Sequence, residues 1–252
     1  MKAGSSFTPG DKTTILPLEK QSPFVSIIIP TLNEAANVRQ QVEALGGVSN
    51  VEVIFCDGGS TDGTVQFLQD CTCIQPNTRL IESSCGRAIQ MNAAAAGARG
   101  EWLIFLHADT SLPAASLLSF CERVQTLPEL HSGAFTFRIQ NSKWAYRYLE
   151  FYVGLRSKLF KLPFGDQAIF VKRELFEAIG GYREDYPLME DFEIMHRLKK
   201  RGGFRIIDAP VYTSARRFEQ DGFLKRTCGN LYLQFLYICG VHPKKLAEKY
   251  WK

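Results

Sequence analysis

The chain has 252 residues, 45% of them hydrophobic and 22% charged, which suits one large or two small domains with an ordinary core. Thirty Lys and Arg against twenty-six Asp and Glu leave a net charge of +4, too weak by count for a nucleic-acid-binding surface. Seven cysteines at irregular spacing, with Cys71 and Cys73 only one residue apart, fit neither a zinc knuckle nor a disulfide framework and point to the reducing cytoplasm.

Residues 1–22 are polar and read as a loose tail rather than a secretory signal. Residues 24–29 form a β-branched run closed by Pro30, the pattern of a buried strand and turn. Asn33 then stands where a helix would be capped, the helix running to Gly46-Gly47. A second apolar strand, 51–56, stops at Asp57-Gly58-Gly59-Ser60-Thr61-Asp62-Gly63-Thr64, and a helix follows to about Asp70. A short strand at 79–82 precedes an Ala-rich helix, 87–99, which Gly100 ends. Residues 102–106 make a fourth strand, ending at His107-Ala108-Asp109-Thr110. This alternation predicts parallel βαβ units, in which ligands sit beyond the carboxyl ends of the strands. Residues 30–34, 57–62 and 107–109 each follow a strand, so three polar loops should converge on one crevice.

The second half is less regular. Strands are expected at 133–139, 168–171 and 204–207. Helices are expected at 143–158, 173–179, 190–201, 221–240 and 243–250. The helix at 143–158 is rich in aromatic and basic residues. The apolar stretch 231–241 is too short for the roughly 20 residues of a membrane span and is expected to be buried, the alternative being a helix on a membrane surface.

Four groups of residues could carry chemistry. In the first, Asp57 at a strand end can accept hydrogen bonds from a base or ribose, and the glycines let backbone approach a ligand. The pattern is neither GxGxxG nor GxxxxGK[ST], and it also reads as a helix-capping loop. In the second, Asp109 can share Mg²⁺ or Mn²⁺ with ligand phosphates, His107 being an unusual ligand for Mg²⁺ but an acceptable one for Mn²⁺; alternatively Asp109 caps a helix starting near Pro113 and His107 packs in the wall. In the third, Glu190, Asp191 and Glu193 lie at a helix start, either as surface caps or, if buried, as a general base. The fourth is Arg87 with Asn92 and the pair Arg216-Arg217, able to stabilise a departing phosphate or simply to be solvated.

In order and spacing, Ser26-Ile27-Ile28-Ile29-Pro30-Thr31-Leu32-Asn33-Glu34, the 57–64 segment, Phe105-Leu106-His107-Ala108-Asp109-Thr110, Gly180-Gly181-Tyr182 and Glu190-Asp191 resemble family 2 glycosyltransferases. The resemblance runs from about Phe24 to the C-terminal helix. It implies an α/β GT-A fold, a Rossmann-like mixed sheet with helices on both faces. Residues 23–252 would form a single domain, about 23–130 serving the nucleotide and about 131–252 the acceptor. It further implies an enzyme that transfers a sugar, with inversion and a divalent metal, from a UDP-, GDP- or dTDP-sugar to an acceptor hydroxyl.

By the same resemblance Pro30, Thr31 and Glu34 line the nucleotide, Asp57 meets the base or ribose, and Arg87 lies near the phosphates. Asp109 is the metal carboxylate, and His107 replaces the first Asp of the family's Asp-x-Asp. Asp191 is the base with Glu190 beside it, Arg216 and Arg217 close over the diphosphate, and Asp166 and Gln167 face the donor sugar or acceptor. Gly86-Arg87-Ala88-Ile89-Gln90-Met91-Asn92, Leu106-His107-Ala108-Asp109-Thr110, Gly165-Asp166-Gln167, Leu188-Met189-Glu190-Asp191 and Thr213-Ser214-Ala215-Arg216-Arg217 resemble more narrowly a bacterial subgroup associated with arsenosugar biosynthesis. Two alternatives stand beside this reading. One is glycosyl transfer to a polyprenyl phosphate, with peripheral contact to the inner face of the membrane. The other is a non-catalytic nucleotide-sugar-binding protein. No nucleic-acid partner is expected.

Overall fold

The computed structural model describes residues 24–46, 48–160 and 163–250. The loose tail expected over residues 1–22 lies outside the described residues. Eight strands form one mixed sheet: β1 (Val25–Thr31), β2 (Val51–Asp57), β3 (Thr78–Glu82), β4 (Trp102–Phe105), β5 (Thr110–Ser111), β6 (Ser132–Ile139), β7 (Ile169–Lys172) and β8 (Phe204–Thr213), in the spatial order 3-2-1-4-7-6-8-5. β3, β2, β1 and β4 are mutually parallel, as the βαβ pattern predicts.

Every residue of β1, β2 and β4 is buried, so their near-continuous apolar sequence follows from a sheet covered on both faces. Alternate side chains feed two cores. Val25, Ile27, Ile29, Phe55 and Trp102 pack under α1 (Ala35–Leu45), α2 (Thr64–Ile74) and α4 (Ala114–Thr126). Ile28, Ile54, Leu103 and Phe105 pack under α3 (Arg87–Ala96), α6 (Arg173–Ala178) and α7 (Glu190–Lys200). Helix α5 (Trp144–Phe160) lies on β6, while α8 (Arg216–Asp221), α9 (Phe223–Ile238) and α10 (Pro243–Tyr250) complete the chain.

The register decides which loops meet. Thr31 pairs with Asp57, so the ends of β1 and β2 are level. Strand β7 runs antiparallel to β4 with Ile169 opposite Phe105, so the turn preceding β7 emerges at the edge where β4 ends. Strand β8 runs up beside β6 and puts Thr213 opposite Thr110, which delivers the segment after Thr213 to Asp109.

Several expected boundaries shift for physical reasons. Asn33 is not the cap of α1: it adopts φ 55°, and the first amides of that helix are met from outside, Glu34 N–H by Thr64 Oγ1 (3.1 Å) and Ala35 N–H by Asp62 Oδ2 (3.1 Å). Helix α3 stops at Gly97, and Gly100 instead allows a close crossing, since a Cβ there would lie 2.5 Å from Ser26 N. The helix expected over 221–240 is α9, and Gly222 at φ 85° parts it from the additional short helix α8 that precedes it. The stretch 231–241 is largely exposed rather than buried: Leu233 is covered, but Tyr232, Phe235 and Ile238 face outward. Among the described residues no helix is long and apolar enough to cross a membrane, and all seven cysteines are free.

Candidate active site

A cleft enclosing about 180 Å³ opens where β4, β7, β8 and α7 bring their polar ends together. His107 and Asp109 come from the end of β4, Asp166 from the turn before β7, Asp191 from the start of α7, and Arg217 from the segment after β8, with Arg87 at the head of α3. His107, Asp109, Asp166 and the segment of Arg217 arrive by the register just described. The Ser214 N–H donates to the Asp109 carbonyl (3.0 Å), and Gly165 N–H donates to Asp191 Oδ2 (2.8 Å). The other oxygen of Asp191 accepts from the Phe192 N–H (2.7 Å). Two backbone donors therefore fix the orientation of that carboxylate.

Opposite charges span the mouth. Arg217 reaches Asp109 (3.4 Å) and Glu34 (3.9 Å), and Arg216 reaches Glu34 (3.7 Å). The arginines of these pairs are half-exposed, so the pairs are individually weak. Deeper, Glu190 is 1% exposed; one of its oxygens pairs with Arg87 Nε (2.7 Å) and the other has no partner among the described residues. The helix leaves Met189 at φ 65° to turn Glu190 inward.

Burial dominates the protonation states here. It raises Glu190 to about 7, against the pull of Arg87 and with a push from Asp191. It raises Asp166 to about 7, opposed by Arg156 and aided by Asp191 and Asp109. It lowers His107 to about 4, Arg87 adding to the effect and the two aspartates opposing it. The ring is therefore neutral at pH 7 and able to act as a metal ligand.

A pH dependence of stability follows. From their ordinary values of 4.5 and 3.8 up to about 7, Glu190 and Asp166 hold protons in the folded state that the unfolded chain has released. Stability therefore falls as pH rises through that window, by up to about 1.4 kcal/mol per pH unit for each group. His107 acts oppositely between about 4 and 6.5, where the folded state has already lost its proton. Above pH 6.5 only the carboxylates remain. Denaturant midpoints are expected to drop between pH 6.5 and 7, and Asp166→Asn with Glu190→Gln to flatten that drop.

Other expected site residues have different surroundings. Asp57 does not line the cleft: it is 1% exposed, and it accepts from Thr31 Oγ1 (3.1 Å), Gly59 N–H (2.8 Å), Ser60 N–H (2.7 Å) and Ser60 Oγ (2.5 Å), so in this structure its carboxylate builds the loop. Pro30 and Thr31 are buried below the same loop. Asn92, expected beside the phosphates, clamps the turn at Tyr182 instead, donating to the Tyr182 carbonyl (2.9 Å) and accepting from its N–H (2.9 Å). Gln167, expected to face sugar or acceptor, is 1% exposed and points into the core, donating to Phe135 O (3.1 Å) and accepting from Ser157 Oγ (2.8 Å). Asp109 makes no cap on α4.

Sequence reasoning did not single out Gln90, whose amide donates to both Thr31 O (2.8 Å) and Cys56 O (2.7 Å) and so levels the two strand ends. It also missed Phe164, Phe218 and Asn230, which line the cleft. These carry no local signature.

No group of three or more His, Cys, Asp or Glu is arranged to hold a metal among the described residues. The donors that are present, one carboxylate at Asp109 and a neutral imidazole two residues before it, suit an ion that takes its remaining ligands from phosphates and water.

Comparison with known proteins gives a consistent picture. The family model described as Glycosyl transferase family 2 matches residues 26–183. A PGL/p-HBAD biosynthesis glycosyltransferase of Mycobacterium tuberculosis is 34% identical over 185 residues, 68% of each chain. Succinoglycan biosynthesis protein ExoA of Rhizobium meliloti is 29% identical over 205 residues, 71% of this chain and 59% of its own. In fold, the chain is similar to the mannosyltransferase PcManGT from Pyrobaculum calidifontis, solved with GDP-Man and Mn²⁺, at a TM-score of 0.60 and 24% identity over 77% of this chain. It is likewise similar to S. aureus TarS 1-349 in complex with UDP-GlcNAc, at 0.61 and 16% over 75%. The chain spans only 57% and 58% of those two proteins.

Proposed function

Since the chain belongs to glycosyl transferase family 2 and has a GT-A-like fold, we propose that it moves a sugar from a nucleotide-diphosphate sugar to an acceptor hydroxyl with inversion. The observation that carries this reading is the convergence of Asp109, Asp166, Asp191 and Arg217 on one cleft. The diphosphate lies between Asp109 and the arginines, drawing Arg216 and Arg217 away from Glu34 and Asp109. The nucleoside extends over the loops at 30–34 and 58–60. Asp57 serves it by holding the second loop in shape. That GDP-Man with Mn²⁺, and UDP-GlcNAc, occupy neighbours of the same fold supports a nucleotide sugar as donor.

Asp109, with His107, would hold Mg²⁺ or Mn²⁺, which when bound neutralises charge on the departing diphosphate. Asp191 takes the proton of the acceptor hydroxyl as its oxygen bonds to the anomeric carbon. The bond from that carbon to the diphosphate oxygen breaks on the opposite side, and its electron pair leaves with the nucleotide. Arg87 holds Glu190 beneath this base. Residues 23–252 act as one domain, the first half serving donor and the second acceptor. The narrower reading, small-molecule glycoside synthesis of the kind associated with arsenosugars, is supported by the cleft itself: Arg87, His107, Asp166, Leu188, Met189 and Arg217, all in the segments that carry that resemblance, line it.

The test is an assay of purified protein against UDP-, GDP- and dTDP-sugars with Mg²⁺ or Mn²⁺, following release of nucleoside diphosphate and the anomeric configuration of the product by NMR. Metal-dependent release with inverted product is expected. Absence of release from every donor, despite tight nucleotide binding, would favour the non-catalytic alternative.

A further inference from the structure

A second cavity adjoins the cleft through Asp166 and Phe164, lying between α5 and α9. It encloses about 60 Å³ behind apolar walls that include Leu149, Val153 and Phe218. Six buried side-chain polar atoms have no hydrogen-bond partner among the described residues, and four belong to this wall: Arg156 Nε and Nη2, Asp166 Oδ1 and Thr227 Oγ1. Such atoms are costly in a finished interior, so their gathering in one hollow marks a place for a polar ligand.

The Arg156 guanidinium stacks on the Phe164 ring, 3.9 Å from its centroid, which fixes the plane of its fork. Burial pulls its pKa below the usual range, and the charge that most opposes this is Asp166. Yet no ion pair joins the two. A structural pair of buried charges would close to bonding distance. Here the donors of one and an acceptor of the other stay unused.

We propose that this cavity is the acceptor subsite and takes a hydroxyl-bearing molecule that joins an anionic group, a carboxylate or phosphate, to an apolar body. The proposal rests on the glycosyl-transfer reading. The anion meets the two unpaired Arg156 N–H groups, whose fork matches it, with the Thr227 hydroxyl as a further donor. The hydroxyl end points through Asp166 into the cleft toward Asp191. The donor's own diphosphate does not need this arginine, because Arg216 and Arg217, paired with Glu34 and Asp109, are there to meet it. At the mouth lie Tyr152 and Leu231, 38% and 39% exposed, and beyond them the exposed Tyr148, Phe151, Tyr232 and Phe235 of α5 and α9. An apolar body longer than the cavity can continue over that surface, so a soluble aromatic acid and an anionic lipid share the required chemistry.

Calorimetric titration with 3-(4-hydroxyphenyl)propanoate and its carboxamide tests the soluble source. Co-sedimentation with phosphatidylglycerol against phosphatidylcholine vesicles tests the lipid source. In at least one arm the wild-type protein should favour the anionic member tenfold or more, Arg156→Gln should reduce that preference below twofold, and Arg156→Lys should keep part of it. Thr227→Val, which leaves the Phe164 stack in place, should weaken the anionic probe about threefold. No preference in either arm, or a preference that survives Arg156→Gln, overturns the proposal. Titration of UDP and GDP with Mn²⁺ into the same samples separates the two claims. Nucleotide binding without anionic preference sinks the subsite alone, whereas absence of nucleotide binding sinks the transferase reading.

Discussion

Asp191→Asn is expected to lower kcat for sugar transfer by roughly 10²- to 10⁴-fold, the range that a positioned general base contributes. The substitution is close to isosteric, and its one amide oxygen can still accept one of the two N–H bonds, from Gly165 or Phe192, that the two carboxylate oxygens accept. Packing and nucleotide affinity should therefore change little, which separates loss of the base from loss of the fold. The comparison to make is kcat against donor KM and melting temperature in the same preparation. A wild-type rate in the variant removes Asp191 from the chemistry.

Gly165→Ala should cost about 100-fold in kcat through a single methyl group. A Cβ at this position would lie 2.5 Å from His107 Nε2 and 2.9 Å from Cε1, so either the ring swings away or the turn retreats. Retreat of the turn draws the Gly165 N–H away from Asp191, and a displacement near 1 Å at a reacting group is worth about that factor. The stability loss should be moderate, about 1–3 kcal/mol, as for other overpacked sites. Backbone strain is not the cause, because Gly165 does not occupy the left-handed region. Removing the ring in the same chain, Gly165→Ala with His107→Ser, should therefore recover stability relative to Gly165→Ala alone. Denaturant unfolding of the three variants reads this coupling, and strictly additive losses would show that ring and turn do not clash.

The first half of the fold was legible because β1, β2 and β4 are apolar runs, each cut off by a polar loop, and parallel pairing leaves those ends level. The second half was less so. Strand β8 continues to Thr213 through Asp208 and Pro210, residues that argue against a strand; the sheet accommodates them with a register shift between Ala134 and Thr136. That extension carries Arg217 to Asp109, so the closure of the site could not be read locally.

Side-chain destinations were the least legible feature. Asp57, Asn92 and Gln167 sit in the expected segments, but neighbours distant in sequence decide where they turn: Thr31, Tyr182 and Phe135. Arg156 is the reverse case. Tyr146, Leu149 and Val153 mark the buried face of α5 at helical spacing, and Arg156 continues that series. A basic residue on an apolar stripe was a signal available in the sequence.

The central claim is that one cleft unites donor phosphates, metal and base. A crystal structure of the protein with nucleoside diphosphate and Mn²⁺ tests it most directly. The expected density has the diphosphate between Asp109 and Arg217, the ion on Asp109, and Asp191 facing the vacant sugar side. Nucleotide bound elsewhere, with Asp109 and Asp191 both untouched, would contradict the account.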